Sequence, residues 1–211
     1  MIQALGARFA NNRRFLPLSA TAALFVIAYL LGSVPTGFIL GYLAGVDVRR
    51  AGSGNVGATN VARVAGKWLG LLTLLGDAAK GFVPVLIALR MDLGAALTGL
   101  VALAAFLGHL YPVFLKFQGG KGVATALGAL LALAPAATGV LLLAFLIVAV
   151  ATRIVSLASI VAAGITPVAI WFLAYPISWV GVTLLMALMI IWRHRENIQR
   201  LRAGAEPRFN L

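Results

Sequence analysis

From Leu18 to Trp192 the chain is a succession of apolar runs joined by short polar stretches. A bilayer core about 30 Å thick takes about 20 helical residues to cross, and lipid offers no partner to a free backbone group. The chain therefore reads as an all-α integral membrane protein. Composition agrees: 62% of residues are hydrophobic, only 10% are charged, and mean hydropathy is +1.03, whereas soluble domains are about a quarter charged. With no cysteine, disulfides, thiolate nucleophiles and cysteine-ligated metals are excluded. The apolar run from about Pro17 is too long for a signal peptide and lacks a small-residue cleavage site. The net charge of +12 fits anionic headgroups and anionic substrates. It does not suggest nucleic acid, because the basic residues are scattered among the spans.

Residues 1–16 read as an N-terminal tail, 17–202 as a single transmembrane domain and 203–211 as a C-terminal tail. The first span is expected from about Leu18 to Val46, kinked at Gly32-Ser33-Val34-Pro35-Thr36-Gly37, with freed carbonyls met by Ser33, Thr36 or water. A polar loop then runs to about Lys67. Further spans are expected at Trp68–Leu89, Leu93–Leu110, Val155–Tyr175 and Ile177–Trp192. Val123 to Val150 would be about 42 Å long as a helix, too short for two full spans, yet Ala134-Pro135 interrupts it. Lysine and arginine placement selects between the counts. With Pro135 as a hairpin between two short helices there are seven crossings, the N-terminus outside and the C-terminus cytoplasmic. One side then carries Arg49, Arg50, Arg63, Lys67, Lys116, Lys121, Arg153, Arg193, Arg195, Arg200, Arg202 and Arg208, and the other only Arg8, Arg13, Arg14 and Arg90.

That topology puts three unusual polar stretches on the cytoplasmic side, the glycine-rich ones as re-entrant loops. In Gly52-Ser53-Gly54-Asn55-Val56-Gly57-Ala58-Thr59-Asn60-Val61-Ala62-Arg63, glycines allow close backbone approach and successive amides can form an anion-binding nest. Ser53, Asn55, Thr59, Asn60 and Arg63 add donors. The same composition also suits a plain flexible loop. Gly119-Gly120-Lys121-Gly122 precedes an apolar helix with Thr125 one turn on, an arrangement suited to phosphate; it is not a Walker A loop, and a simple membrane turn would read the same way. In Arg193 to Arg202, His194 and Asn197 can face one ligand while Glu196 and Arg200 pair in solvent. The alternative for that stretch is a basic helix gripping acidic lipid. Asp77 and Lys80 share a helix face and can neutralise each other. Arg153, Ser156 and Ser159 are expected on one face of a span's cytoplasmic end, where Arg153 could snorkel and the serines could bond back to their own helix. Paired carboxylates, a metal cluster and a carboxylate to activate His109 are all missing.

These stretches resemble the three signature regions of one family. The first is the loop just quoted, to Arg63. The second is Gly108-His109-x-x-Pro112-x-Phe114-x-x-Phe117-x-Gly119-Gly120-Lys121-Gly122-Val123-Ala124-Thr125. The third is Arg193-His194-x-x-Asn197-Ile198-x-Arg200-Leu201-x-x-Gly204-x-Glu206. Gly32-Ser33-x-Pro35 and Gly76-Asp77-x-x-Lys80-Gly81 also match. The chain is thus similar to the bacterial membrane acyl-phosphate:glycerol-3-phosphate acyltransferase family, PlsY, over almost its whole length apart from an extended N-terminal tail. The His-x-x-x-x-Asp pattern of other acyltransferases is absent, Phe114 standing in place of the aspartate.

The resemblance implies transfer of a fatty acyl group from acyl phosphate to the 1-hydroxyl of glycerol 3-phosphate, giving lysophosphatidic acid and phosphate, the first step of phospholipid synthesis. It implies a seven-helix enzyme of the bacterial inner membrane with a cytoplasmic site, no metal or other cofactor, and a functional relation to the enzyme that makes acyl phosphate. By motif position, Ser53, Asn55, Gly57, Thr59, Gly119, Gly120 and Gly122 would cradle the donor phosphate, with Gly54 and Asn60 completing the first loop. Lys121 would lie between two phosphates, and Arg63, Ser159, His194 and Asn197 would bind glycerol 3-phosphate, with Ser156 nearby. A phosphate oxygen would take the hydroxyl proton. Two other classes fit the same residues less fully: a transporter or lipid-anion binder, and an acyltransferase with a thioester donor.

Overall fold

The structure is a computed structural model that describes residues 18–209; the tail expected at 1–16 lies outside the described residues. Ten helices and a short 3-10 turn follow one another, with no strand among the described residues. They are α1 (Leu18–Ser33), α2 (Thr36–Leu43), α3 (Ala58–Ala65), α4 (Lys67–Arg90), α5 (Gly94–Leu110), the 3-10 turn Val113–Leu115, α6 (Val123–Leu133), α7 (Pro135–Thr152), α8 (Val155–Phe172), α9 (Ile177–Arg193) and α10 (Arg195–Arg202). Among the described residues, five stretches are long and apolar enough to cross a membrane: Leu18–Leu43, Lys67–Arg90, Gly94–Leu115, Pro135–Thr152 and Val155–Phe172. The pair α9–α10, bent by 56°, makes a sixth. Every expected run is helical, but α6, with 11 residues, reaches only about 16 Å. Pro135 begins α7 at its first turn, where its missing amide costs nothing.

The bundle is apolar on its outside. Leu143, Ile147, Val150 and Phe172 are 60–79% exposed, as suits side chains that face lipid tails. Inside, small residues let backbones meet. A Cβ on Gly32 of α1 would lie 2.0 Å from Ala105 O of α5, and one on Gly108 of α5 would lie 2.2 Å from Tyr29 O of α1. The pair α4–α6 repeats the device: a Cβ on Gly81 would meet Thr125 O at 2.1 Å, and one on Gly128 would meet Ala78 O at 1.9 Å. Larger residues fill the remaining core, among them Phe106, Leu110, Met186 and Ile190, with Val85, Leu130, Ile170 and Trp179 further along the bundle.

Several local expectations are corrected. The break between α1 and α2 falls at Val34-Pro35, since proline restricts the residue before it, and the freed Val34 carbonyl accepts from the backbone N of Thr36 at 3.0 Å and, beyond what was expected, from Lys80 Nζ of α4 at 2.8 Å. Ser33 Oγ turns back to Tyr29 O, 2.8 Å away. The loop expected to run to Lys67 contains the helix α3, turned into α4 at Gly66, whose φ is +99°. Arg153 is not on a helix face with Ser156 and Ser159; it forms the left-handed turn between α7 and α8, with φ +60°.

Candidate active site

The polar stretches gather at one end of the bundle. Leu115, from the loop after α5, packs with Val48, Val56 and Val61 of the first loop in a small core of its own. The chain beyond α10 folds back over the α7–α8 turn, Phe209 N donating to Arg153 O at 2.9 Å.

Asn60 organises the first loop. It is 2% exposed; its Nδ2 donates to Val48 O (2.9 Å), Ala51 O (3.1 Å) and Asn55 O (2.8 Å), and its Oδ1 accepts from Ser53 N at 2.8 Å. Asn55 Oδ1 accepts from Gly57 N at 2.8 Å, just before α3 begins. Gly52 and Gly54 sit at φ +60° and +69°, where side chains are strained. Asn60 and Asn55 are thus occupied with backbone, whereas Ser53, Thr59 and Arg63 are exposed. The amides of Ser53, Gly54 and Gly57 are spent inside the loop; among the described residues the amides opening α3, Ala58 and Thr59, have no backbone partner and point out of its N-terminus.

The glycine turn differs from a free phosphate cradle in one respect. Gly119 N donates to Leu110 O (3.1 Å) and Gly120 N to His109 O (3.2 Å), so these two amides are used within the protein. Their carbonyls are used as well: Arg193 Nη2 donates to Gly119 O at 2.5 Å and Nε to Gly120 O at 3.1 Å. Gly122, at φ +84°, leaves no room for a Cβ, which would lie 2.2 Å from the Phe106 ring. The turn is clamped between α5 and Arg193, and it presents Lys121 and the open amides at the start of α6, where the helix dipole favours an anion.

Lys121 Nζ donates to Asn197 Oδ1. Asn197 Nδ2 donates in turn to Glu206 Oε1 at 2.5 Å, Ser156 Oγ to the same oxygen at 2.7 Å, and Arg200 Nε to Glu206 Oε2 at 2.7 Å. Arg200 therefore pairs with Glu206 and not with Glu196, because the chain turns back after α10 and brings the more buried carboxylate to it. Burial works to raise the Glu206 pKa, but the hydrogen bonds from Ser156, Asn197 and Arg200 hold its carboxyl below the usual range. Burial also pushes the Lys121 ammonium down to about 8, against the attraction of Glu206. His194 is 3% exposed and its Nδ1 lies 2.8 Å from Ile190 O, which makes Nδ1 the protonated nitrogen and Nε2 the acceptor in the neutral ring. Ser159 donates to Val155 O at 2.9 Å, the back-bond within its own helix.

The structure thus joins Lys121, Asn197 and Ser156 through Glu206, and joins Ser53, Asn55, Gly57 and Asn60 separately. Sequence reading gave no role to Glu206 or Arg193. The signal for Glu206 was its rarity, one of five acidic residues in a chain of net charge +12; that for Arg193 was its place beside His194. A further correction concerns His109: a carboxylate does lie beside it, Asp77 Oδ1 being 3.7 Å from Nδ1, outside hydrogen-bond distance.

Comparison with known proteins places this geometry among relatives. The family model described as Glycerol-3-phosphate acyltransferase matches residues 22–204. A protein of Syntrophotalea carbinolica named glycerol-3-phosphate acyltransferase is 53% identical over 188 residues, covering 88% of this chain and 96% of its own length. One of the same name from Geobacter metallireducens is 55% identical over 182 residues, covering 86% and 94%. Two crystal structures of PlsY (YgiH), an integral membrane glycerol 3-phosphate acyltransferase, superpose closely. Its glycerol 3-phosphate form gives a TM-score of 0.88 at 44% identity, and its lysophosphatidic acid form 0.85 at 43%. Each covers 90% of this chain and 96% of that one.

Asn60→Ala removes four hydrogen bonds and leaves the buried Val48 carbonyl unpaired, which alone costs about 1–3 kcal/mol. The expected result is a lower melting temperature together with faster amide exchange confined to residues 48–60.

Proposed function

Because the chain belongs to the glycerol-3-phosphate acyltransferase family, we propose that it transfers a fatty acyl group from acyl phosphate to the 1-hydroxyl of glycerol 3-phosphate, releasing lysophosphatidic acid and phosphate. The observation that carries this reading is Lys121, raised on a clamped glycine turn at the start of α6 and bonded to Asn197. A cation so placed suits two phosphate groups at the edge of an apolar bundle. One substrate is water-soluble and the other has a long chain, and a site at the end of the bundle admits both.

In this mechanism the glycerol 1-oxygen attacks the acyl carbonyl carbon, the carbon–oxygen bond to phosphate breaks, and the hydroxyl proton passes to a phosphate oxygen. Acyl phosphate is already activated, so the protein supplies orientation and charge stabilisation. Ser53, Thr59 and the open amides of α3 and α6 hold the donor phosphate, with Asn55, Gly54, Gly57 and Asn60 shaping the loop and Gly119, Gly120 and Gly122 shaping the turn. Arg63, His194 and Asn197 take glycerol 3-phosphate. His194 Nε2, an acceptor in the neutral ring, faces a glycerol hydroxyl. Ser156 and Ser159 line that side. The orientation is seven crossings with α6 as the short one, the C-terminus and the site on the cytoplasmic side of the bacterial inner membrane, and the glycine-rich loops re-entrant.

The reaction is tested with pure protein in detergent and radiolabelled glycerol 3-phosphate, offering palmitoyl phosphate or palmitoyl-CoA. Lysophosphatidic acid is expected from palmitoyl phosphate alone. Product from palmitoyl-CoA would reject the donor, and product from neither would leave a transporter or binder.

The pH dependence follows from Lys121. Its ammonium is lost from the free enzyme as pH rises through about 8, while a bound phosphate dianion favours the charged form and raises that pKa. Affinity for glycerol 3-phosphate is therefore full below about pH 8 and falls above it, by up to about tenfold per pH unit. The ligand, with a second phosphate pKa of about 6, stays dianionic throughout. Titration calorimetry from neutral to alkaline pH should show this fall in the wild type and not in Lys121→Arg, which remains charged.

A further inference from the structure

Three buried polar side chains have no part in the chemistry above. Asp77 and Lys80 of α4 and His109 of α5 are 2%, 8% and 5% exposed. Lys80 Nζ lies 2.8 Å from Asp77 Oδ1, the same oxygen faces His109 Nδ1 at 3.7 Å, and among the described residues that ring nitrogen has no hydrogen-bond partner. The trio lines a small cavity shared with Ser33, Thr36, Val56 and Leu115. Ionic groups inside an apolar bundle are costly, and replacing such a pair by apolar side chains often leaves stability unchanged or improved. Packing alone does not account for them.

What they touch suggests their task. Lys80 donates to Val34 O at the break in the first span. Beyond that break α2 sits against the first loop: a Cβ on Gly37 would lie 2.0 Å from Val56 O. His109 supports the other loop. Its carbonyl accepts from Gly120 N at 3.2 Å, and its ring fills the space beside Gly120, where a Cβ would lie 2.1 Å from Nε2. Asp77 connects the two, since one carboxylate oxygen faces both the lysine and the histidine.

We propose that Asp77, Lys80 and His109 are positioning residues for acyl transfer: the trio seats the glycine turn that carries Lys121 in register with the first loop. This rests on the functional reading above. Disturbing the trio shifts Lys121 and weakens the grip on glycerol 3-phosphate without removing any group that touches it.

The test is steady-state kinetics of His109→Gln, which changes no formal charge of a neutral ring, and of the paired substitution Asp77→Asn/Lys80→Gln, which leaves no unpaired charge. Both are measured beside wild type, with melting temperature as the check on folding. Loss of folded protein lowers kcat and leaves KM alone, so KM separates positioning from structure. The expected result is a rise in KM for glycerol 3-phosphate of about five- to tenfold in each, with the effect of His109→Gln largely absent in a Lys121→Ala background, because coupled residues are non-additive. An unchanged KM in folded His109→Gln protein, or a full additive effect on top of Lys121→Ala, would overturn the proposal. Failure of the wild type to transfer at all would instead remove the reading on which it rests, and the proposal with it.

Discussion

Wherever this chain leaves helical geometry inside or beside the apolar bundle, backbone carbonyls are set free, and lipid supplies nothing to meet them. At three such places the partners are polar side chains. Lys80 meets Val34 O at the break in the first span, Arg193 meets Gly119 O and Gly120 O in the glycine turn, and Asn60 meets Val48 O, Ala51 O and Asn55 O in the first loop. Each solution ties together two segments distant in sequence or the two ends of one loop. Satisfying the backbone therefore also ties the polar end of the molecule together.

That requirement divides the polar residues into two groups that look alike in sequence. Asn60, Asn55, Arg193 and Glu206 spend their hydrogen bonds on the protein. Ser53, Thr59 and Arg63 stay exposed, and Lys121 is only partly buried. Glycines divide likewise: Gly32, Gly81, Gly108 and Gly128 let helices touch, while Gly52, Gly54 and Gly122 take backbone angles closed to other residues. A basic surface of this kind attracts phosphate-bearing ligands, and the half-buried Glu206 holds Asn197 and, through it, Lys121.

Much of the architecture was legible because a span declares itself through continuous hydropathy. The runs at Lys67–Arg90, Gly94–Leu110, Val155–Phe172 and Ile177–Arg193 agree with expectation to within a few residues, and the interruption at Pro135 falls between two helices. The helix Ala58–Ala65 was not legible, since its eight residues lie in a glycine-rich polar stretch whose periodicity is too short to read. Nor was the pairing of Arg200. Glu196 is a helical turn away and satisfies the usual spacing, but the reversal of the chain after Arg202 delivers Glu206, and no local pattern encodes that reversal. Asp77 approaching His109 is a contact between two helices, and spacing along one helix carries no trace of it.

The central claim is that the clamped lysine and the exposed arginine of α3 act on one anion. Its most direct test is titration of glycerol 3-phosphate into the folded wild type, Lys121→Ala and Arg63→Ala proteins. Loss of one charged contact to phosphate is worth about 1.5–3 kcal/mol, so affinity should fall by about 10- to 150-fold in each variant. Affinities within about twofold of wild type, a difference below 0.5 kcal/mol in rough terms, would contradict the account.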